Sequence, residues 1–101
     1  MSQRGLEALL RPKSIAVIGA SMKPDRAGYL MMRNLLGGGF AGPVLPVTPA
    51  YKAVLGVLAW PEVSQLPYVP DLAVLCTHAK RNMALLEELG KKGCKTCIDR
   101  K

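Results

Sequence analysis

A glycine followed by two cationic side chains is the feature of this sequence that most clearly indicates chemistry. Gly19 closes an apolar segment, and Ser21, Lys23 and Arg26 follow before the next apolar segment begins. Glycine lets the backbone approach an anion closely, and a helix that starts after the loop turns free amides and its positive dipole end toward the same point. The pattern predicts a phosphate-binding loop beginning at Gly19 and Ala20. The alternative is an ordinary strand-to-helix turn, which the added cations disfavour.

The glycine spacing argues against a simple dinucleotide site. A Gly-x-Gly-x-x-Gly fingerprint requires a second glycine where Ser21 stands, and the next glycine in the chain is Gly28. An NAD site also requires an acidic residue after the second strand, where this chain has Thr48 and Pro49. NAD is therefore disfavoured, whereas Lys52 and the loop cations suit a ligand with an extra phosphate, such as NADP or CoA.

The elements that would position this loop follow from apolar patterning and from the glycines and prolines. Continuous apolar runs predict strands buried on both faces, and helical spacing of apolar residues predicts helices between them. The predicted strands are residues 14–19, 44–47, 53–60 (interrupted by Gly56), 71–76 and 95–98. The predicted helices are residues 2–10, 27–36 and 79–89. Because proline cannot donate to a central ladder, the strand with Pro46 must bend or lie where one amide faces no partner.

The alternation of strands and helices predicts an α/β fold with a parallel sheet covered on both faces. Right-handed crossovers make it a Rossmann-like, doubly wound sheet in a single domain spanning residues 1–101. The helix at residues 27–36 is expected to bury the face formed by Ala27, Leu30, Met31 and Leu35, and the glycines at 37–39 end it.

Ligands of doubly wound sheets bind at the carboxyl ends of the strands, near the point where the strand order reverses. The loops at residues 19–25, 48–52 and 77–78 should therefore converge. The predicted ligand-binding residues are Gly19, Ala20, Ser21, Lys23, Arg26, Thr48, Pro49, Lys52, Thr77 and His78. No nucleophile with a neighbouring base and no metal-ligand cluster is recognisable, so we expect neither catalytic residues nor a metal. His78, the single histidine, is expected to cap the following helix or line the pocket.

Net charge, aromatic content and the length of the apolar runs indicate which classes of partner to expect. The 101-residue chain carries a net charge of +7, but it has only five aromatic residues (one Phe, three Tyr and one Trp), and these do not alternate with basic residues. A platform for stacking nucleic-acid bases is therefore not expected. No apolar run approaches the ~18 residues that span a bilayer, and the first residues lack a signal-peptide pattern. A cytoplasmic location without membrane or nucleic-acid partners is predicted.

Three cysteines, Cys76, Cys94 and Cys97, are expected to be reduced thiols. Cys94 and Cys97 form a Cys-x-x-Cys, but the pair is predicted within a strand rather than at a helix N-terminus, and no second ligand pair accompanies it. We therefore expect small buried hydrophobic side chains rather than a redox or zinc site.

Residues 12–21, Pro-Lys-Ser-Ile-Ala-Val-Ile-Gly-Ala-Ser, resemble the opening of the CoA-binding domain of NDP-forming acyl-CoA synthetases. The agreement continues over nearly the whole chain, through residues 28–29, 34–35, 47–49, 56, 70–74 and 93–95. The resemblance implies CoA or acetyl-CoA as the ligand, with residues 19–21 on the phosphates and Thr48 and Pro49 near the adenosine. It also implies that residues 1–101 are the N-terminal module of a longer chain, whose other domains are its partners. The chain departs from the family where it has Thr48-Pro49-Ala50 instead of Asn-Pro-Lys, and Cys76-Thr77-His78 where many relatives have Val-Pro.

From Met1 to Ile98 the sequence is also similar to the start of bacterial protein lysine acetyltransferases of the Pat type (also called YfiQ or PatZ), which join a synthetase-like region to a GNAT acetyltransferase domain. Two alternatives stay open at this point: an NADP-binding oxidoreductase or redox-sensor domain, and a free-standing regulatory domain. If CoA binds at the first loop, Gly19→Val is expected to abolish binding while leaving the fold largely intact.

Overall fold

The computed structural model describes residues 12–77, 79–94 and 96–99, and within them the chain forms six strands and two α-helices. In chain order these are β1 (Ile15–Ile18), α1 (Ala27–Gly37), β2 (Val44–Val47), β3 (Ala53–Val54), β4 (Val57–Leu58), a 3-10 turn (Val63–Gln65), β5 (Leu72–Leu75), α2 (Ala79–Lys92) and β6 (Thr96–Asp99). The predicted leading helix at residues 2–10 and the side chain of His78 lie outside the described residues.

Four parallel strands form the main sheet in the order β2-β1-β5-β6. The chain moves outward from β1 to β2 through α1, and outward in the opposite direction from β5 to β6 through α2. With right-handed crossovers, the two directions place the helices on opposite faces of the sheet. This arrangement confirms the predicted doubly wound, Rossmann-like α/β fold, with the reversal of strand order between β1 and β5.

The alternation of side chains along β1 shows how one short strand supports both faces. Ala16 and Ile18 lie in the core on the α2 side with Leu89, whereas Val17 packs on the α1 side with Met32. All four β1 residues are buried, as are those of β2 and β5. Two buried faces explain why these strands are continuously apolar in sequence rather than alternating with polar residues.

Pro46 lies in β2, at the edge of the sheet. Beyond β2 the chain returns alongside it: the Trp60 amide donates to the Pro46 carbonyl at 3.0 Å, and the Thr48 amide donates to the Trp60 carbonyl at 2.8 Å. The nitrogen of Pro46, which has no hydrogen to donate, therefore lies just before the first hydrogen bond to the returning segment. An edge position of this kind tolerates proline, as predicted.

The segment predicted as one interrupted strand at residues 53–60 is instead a hairpin. Strands β3 and β4 are antiparallel, form a separate two-stranded sheet, and are joined by Leu55 and Gly56. Both turn residues have positive φ, 51° at Leu55 and 83° at Gly56. Two consecutive positive φ angles are the requirement of a type I′ hairpin turn, so Gly56 marks a reversal of direction and not an interruption of a strand.

Helix α1 buries a face different from the predicted one. Leu30 is 39% exposed and Met32 is fully buried, with Gly28 buried beneath it and Met31 and Leu35 beside it. Residues 28, 31, 32 and 35 follow the i, i+3, i+4, i+7 pattern of a buried helix face. The close approach of Gly28 to Gly19 sets how α1 is rotated on the sheet, and this rotation leaves Leu30 on the exposed side.

Cys94 is not part of a strand, contrary to the prediction. It lies in the turn that follows α2, and β6 begins at Thr96, so only Cys97 of the pair belongs to the sheet. The turn contains Gly93 with φ of 97°, a conformation typical of the residue that ends a helix.

Within the described ranges, no helix is both long and apolar enough to cross a membrane.

Candidate functional site

A cleft of about 410 Å³ opens at the carboxyl ends of β1, β2 and β5. It is lined by Ile18, Gly19, Ala20, Val47, Thr48, Pro49, Pro61, Glu62, Val63, Thr77, Arg81, Leu85 and Glu88. The cleft therefore contains the reversal of strand order, where doubly wound sheets bind ligands. Its volume falls within the range of small-molecule sites, about 300–1,000 Å³.

The corner after β1 is built so that only glycine fits it. Gly19 has φ of 88°, and a β-carbon there would lie 2.8 Å from Thr77 Cγ2 and 3.0 Å from the Cys76 carbonyl oxygen. The Gly19 amide donates to the Val47 carbonyl at 2.8 Å, which fixes the corner between two strands. Gly19→Val would therefore strain the backbone and collide with the end of β5. The expectation that this substitution leaves the fold intact is wrong.

Helix α1 begins directly against this corner. A β-carbon on Gly28, in the first turn of α1, would lie 2.0 Å from the Gly19 carbonyl oxygen and 2.9 Å from Ala20 Cα. The first amides of a helix have no partner within the helix, and their end of the helix carries the positive dipole. The contact brings this positive end against Gly19 and Ala20, as the phosphate-loop prediction requires.

Thr77, at the end of β5, is held by the first turns of α2. Its hydroxyl donates a short hydrogen bond to Oδ1 of Asn82, which is only 2% exposed. A buried amide side chain is retained in a core only when its polar atoms are paired. The bond therefore fixes the Thr77 side chain. Its methyl group faces Gly19 across the switch point, the place between β1 and β5 where the strand order reverses.

Thr48 and Pro49 form the wall contributed by β2. Thr48 is 5% exposed, and its Oγ1 accepts a hydrogen bond from the Ala50 amide at 3.2 Å, a local turn that redirects the chain after the strand. Pro49 is exposed beside it. The Thr48 side chain at this strand end is thus held by the backbone that follows it.

The wall opposite the strand ends is a face of α2 that the sequence prediction missed. Arg81, Leu85 and Glu88 all line the cleft, and their i, i+4, i+7 spacing places them on one side of the helix. Arg81 is exposed and Glu88 half-buried. The sequence shows that these three residues share one side of a helix. It does not show that this side faces the ends of the strands.

The four predicted site residues Ser21, Lys23, Arg26 and Lys52 do not line the cleft. Ser21 Oγ instead accepts a hydrogen bond from the Lys23 amide at 3.0 Å, which shapes the loop. Lys23, Arg26 and Lys52 are exposed. The structure therefore brings together Gly19, Ala20, Thr48, Pro49 and Thr77 from the predicted set, and Arg81 supplies the positive charge among the described lining residues. The ligand-binding roles of all these residues stay predictions.

Comparison with known protein families shows which family the chain belongs to. A family model described as a CoA binding domain matches residues 13–98, which includes β1, β2 and β5, the loops at their carboxyl ends, and β6 up to Ile98. The chain belongs to this family of CoA-binding domains.

The relatives of this CoA-binding domain include ADP-forming CoA ligases. It is 40% identical over 103 residues to the alpha subunit of the ADP-forming acetate–CoA ligase I of Pyrococcus furiosus, covering 89% of this chain and 20% of that subunit. It is 40% identical over 90 residues to the ADP-forming 4-hydroxybutyrate–CoA ligase of Nitrosopumilus maritimus, covering 89% of this chain and 13% of the ligase. The domain thus spans a fifth or less of these two relatives.

Solved structures show the same fold in chains of different lengths. The apo form of the dinucleotide-forming acetyl-coenzyme A synthetase 1 of Ca. Korarchaeum cryptofilum superposes with a TM-score of 0.86 at 37% identity, over 91% of this chain and 20% of the synthetase. A conserved hypothetical protein of Pyrococcus furiosus superposes with a TM-score of 0.79 at 30% identity, over 87% of this chain and 74% of that protein. The CoA-binding domain therefore resembles both a segment of a long synthetase and most of a short chain.

These comparisons confirm the resemblance to the acyl-CoA synthetase domain and CoA or acetyl-CoA as the ligand class. They do not favour the NADP-binding alternative. The residues present also fit such a ligand: a glycine corner at a helix start can approach a diphosphate, and Arg81 can pair with a phosphate. Among the described residues, no group of three or more His, Cys, Asp or Glu side chains could hold a metal ion.

Proposed function

We propose that this domain binds CoA or acetyl-CoA in the cleft at the carboxyl ends of β1, β2 and β5. The observation that carries the proposal is the meeting of Gly19 and Thr77 at the switch point of the sheet, where a Gly19 β-carbon would lie 2.8 Å from Thr77 Cγ2. No side chain fits at this corner, which has a positive φ and packs against the end of β5, while the start of α1 lies against the same residue. A ligand with a diphosphate can approach it closely, as at other helix N-termini.

The phosphates are assigned to the end of the cleft formed by Gly19 and Ala20. The start of α1 lies against these two residues, and Arg81 lines the same cleft. Glu62 and Glu88 line it as well, and carboxylates repel phosphates. We therefore assign the phosphates to the glycine corner and Arg81 rather than to the two carboxylates.

The uncharged parts of the ligand are assigned to the apolar lining. Ile18, Val63 and Leu85 line the cleft beside the polar groups. Such side chains suit the adenine ring or the pantetheine arm, and mixed linings of this kind are typical of small-molecule sites. Thr48 and Pro49, which the family resemblance places near the adenosine, form the neighbouring wall.

The domain acts as a binding module, and the chemistry is assigned to other domains of a longer chain. The coverage of a fifth or less of the two ligases supports this assignment. We propose an acyl-CoA synthetase-like parent, which the two ligases support. More specifically, we propose a protein lysine acetyltransferase of the Pat type, which rests on the resemblance of residues 1–98 in the sequence alone. Reading the gene beyond Lys101 tests it: a GNAT domain supports acetyl transfer, synthetase domains alone support ligation, and a stop codon supports a free-standing domain.

Calorimetric titration of the 101-residue chain with CoA, acetyl-CoA, NADH and NADPH tests the binding function. Each hydrogen bond to a charged group contributes about 1.5–3 kcal/mol, set against an association penalty of at least about 4 kcal/mol. Saturable binding of CoA with a dissociation constant in the micromolar range or weaker is therefore expected. Saturation by NADPH without binding of CoA or acetyl-CoA would overturn the proposal.

A further inference from the structure

The turn after α2 brings two thiols together at a site unrelated to the cleft. Cys94 and Cys97 have their sulfur atoms 3.9 Å apart, with the Cys97 thiol donating to Cys94 Sγ. Cys94 lies in the turn and Cys97 in β6, so the pair connects the end of a helix to an edge strand of the sheet. Neither cysteine lines the cleft.

Backbone hydrogen bonds hold the first of the two cysteines in place. The Cys94 amide donates to the Leu89 carbonyl at 2.9 Å, and the Gly93 amide donates to the Gly90 carbonyl at 3.1 Å. Cys94 is 8% exposed and Cys97 is half-buried. The turn therefore holds the sulfurs close to each other while leaving the Cys97 side accessible to a small molecule.

We propose that Cys94 and Cys97 are a reversible modification site, at which an intramolecular disulfide forms by exchange with a small-molecule disulfide. The side chains need only a modest approach of the two sulfurs, because a disulfide bond is ~2.05 Å long. The prediction that the pair serves only as buried hydrophobic side chains did not anticipate that the turn would bring the two sulfurs into contact.

The two thiols differ in acidity in the way that such exchange requires. The hydrogen bond from Cys97 lowers the pKa of Cys94 to about 7, assisted by the backbone of Thr96 and opposed by burial and by the charge of Asp71. The same hydrogen bond, together with burial and the charge of Cys94, raises the pKa of Cys97. Cys94 is thus the more acidic thiol and the nucleophile of the pair, and Cys97 is the protonated partner.

The exchange proceeds in two balanced steps. The Cys94 thiolate attacks one sulfur of a disulfide R–S–S–R, forming a mixed disulfide and releasing one R–S⁻, which takes up a proton. The Cys97 sulfur then gives up its proton and attacks Cys94 Sγ, forming the Cys94–Cys97 bond and releasing the second R–SH. Two protein thiols are oxidised, and one small-molecule disulfide is reduced to two thiols.

The test is incubation of the 101-residue chain with oxidised glutathione, followed by acid quenching, alkylation and intact-mass analysis. The expected product is two hydrogens lighter, carries one alkylated cysteine, and returns to three after reduction. Because Lys95 stands between the two cysteines, trypsin should yield two peptides joined by the disulfide. Lasting glutathione adducts on the unmodified chain, or disulfides that involve Cys76, would overturn the proposal.

Single serine variants separate the roles of the cysteines. Cys97→Ser should trap a glutathione adduct on Cys94, because the attacking partner is gone. Cys94→Ser should react much more slowly. The control is Cys76→Ser, since Cys76 packs with the core on the α1 side, and it should leave the disulfide unchanged. A Cys97→Ser variant that stays unmodified under the same conditions would exclude Cys94 as the nucleophile. CoA titration is a separate readout, so failure here leaves the proposed function untouched.

Discussion

The α-carbon of Gly28 lies so close to Gly19 that a β-carbon on Gly28 would stand 2.0 Å from the Gly19 carbonyl oxygen. This contact seats the first turn of α1 on the corner after β1. In dinucleotide-binding folds the last glycine of the fingerprint allows the same close packing of helix on strand. Here that role falls nine positions after Gly19, beyond the fingerprint's spacing, so the loop between them is longer than in a dinucleotide site.

Gly28→Ala is expected to destabilise the domain. The added methyl group would meet backbone atoms that cannot move without shifting α1 or β1, and overpacking of this kind costs about 1–3 kcal/mol, here about 2 or more. The measurement is the free energy of unfolding from urea denaturation. Gly90→Ala is the control, because Gly90 lies within α2 with open space around it, and that change should stabilise by about 0.5–1 kcal/mol. A Gly28→Ala variant as stable as the unmodified domain would contradict the proposed seating of α1.

Arg81→Gln is expected to weaken CoA binding about fivefold, or ~1 kcal/mol. The effect is smaller than for a buried charged hydrogen bond because the exposed guanidinium is screened by solvent. The measurement is calorimetric titration at low and at physiological ionic strength. Arg33→Gln makes the same change of charge on the exposed face of α1 and should leave the affinity nearly unchanged. Equal losses for both variants would show that overall charge, and not the cleft, determines affinity.

Thr77→Val is expected to lower the free energy of unfolding by about 1–3 kcal/mol. The substitution keeps the shape of the side chain but removes the hydroxyl that donates to buried Asn82. Replacing both residues, as Thr77→Val with Asn82→Leu, should cost less than the sum of the two single changes, because the hydrogen bond between them is lost only once. Additive losses in this double-mutant cycle would mean that the bond contributes nothing to stability.

The reaction of Cys94 with an aromatic disulfide reagent is expected to depend on pH around neutrality. Its pKa is lowered from 9.0 to about 7, so the thiolate is present above that pH and lost below it. The rate should therefore fall about tenfold for each pH unit well below the pKa. Stopped-flow absorbance measures the rate, and Cys94→Ser should remove the neutral transition. A transition near pH 9 would contradict the hydrogen bond from Cys97.

Much of the fold could be predicted from the sequence because its signals are local. Apolar runs such as Ile15–Ile18 and Leu72–Leu75 identify strands buried on both faces, and their alternation with helices identifies the winding of the sheet. The hairpin at residues 53–58 could not be predicted in the same way. Two-residue strands carry almost no periodic signal, and a leucine with positive φ is unusual at a turn.

The sequence by itself determined the order of the strands of the main sheet and of the helices between them, the glycine corner at Gly19 and the resemblance to CoA-binding domains, since each depends on residues adjacent or nearly adjacent in the chain. Only the tertiary structure decided which cation reaches the cleft and which cysteines meet. Arg81 lines the cleft, whereas Lys23 and Arg26 stay exposed outside it. The physical reason is long-range packing. The packing of α2 on the sheet places Arg81, and the turn that ends α2 brings Cys94 and Cys97 together. Residues distant in the sequence determine that packing.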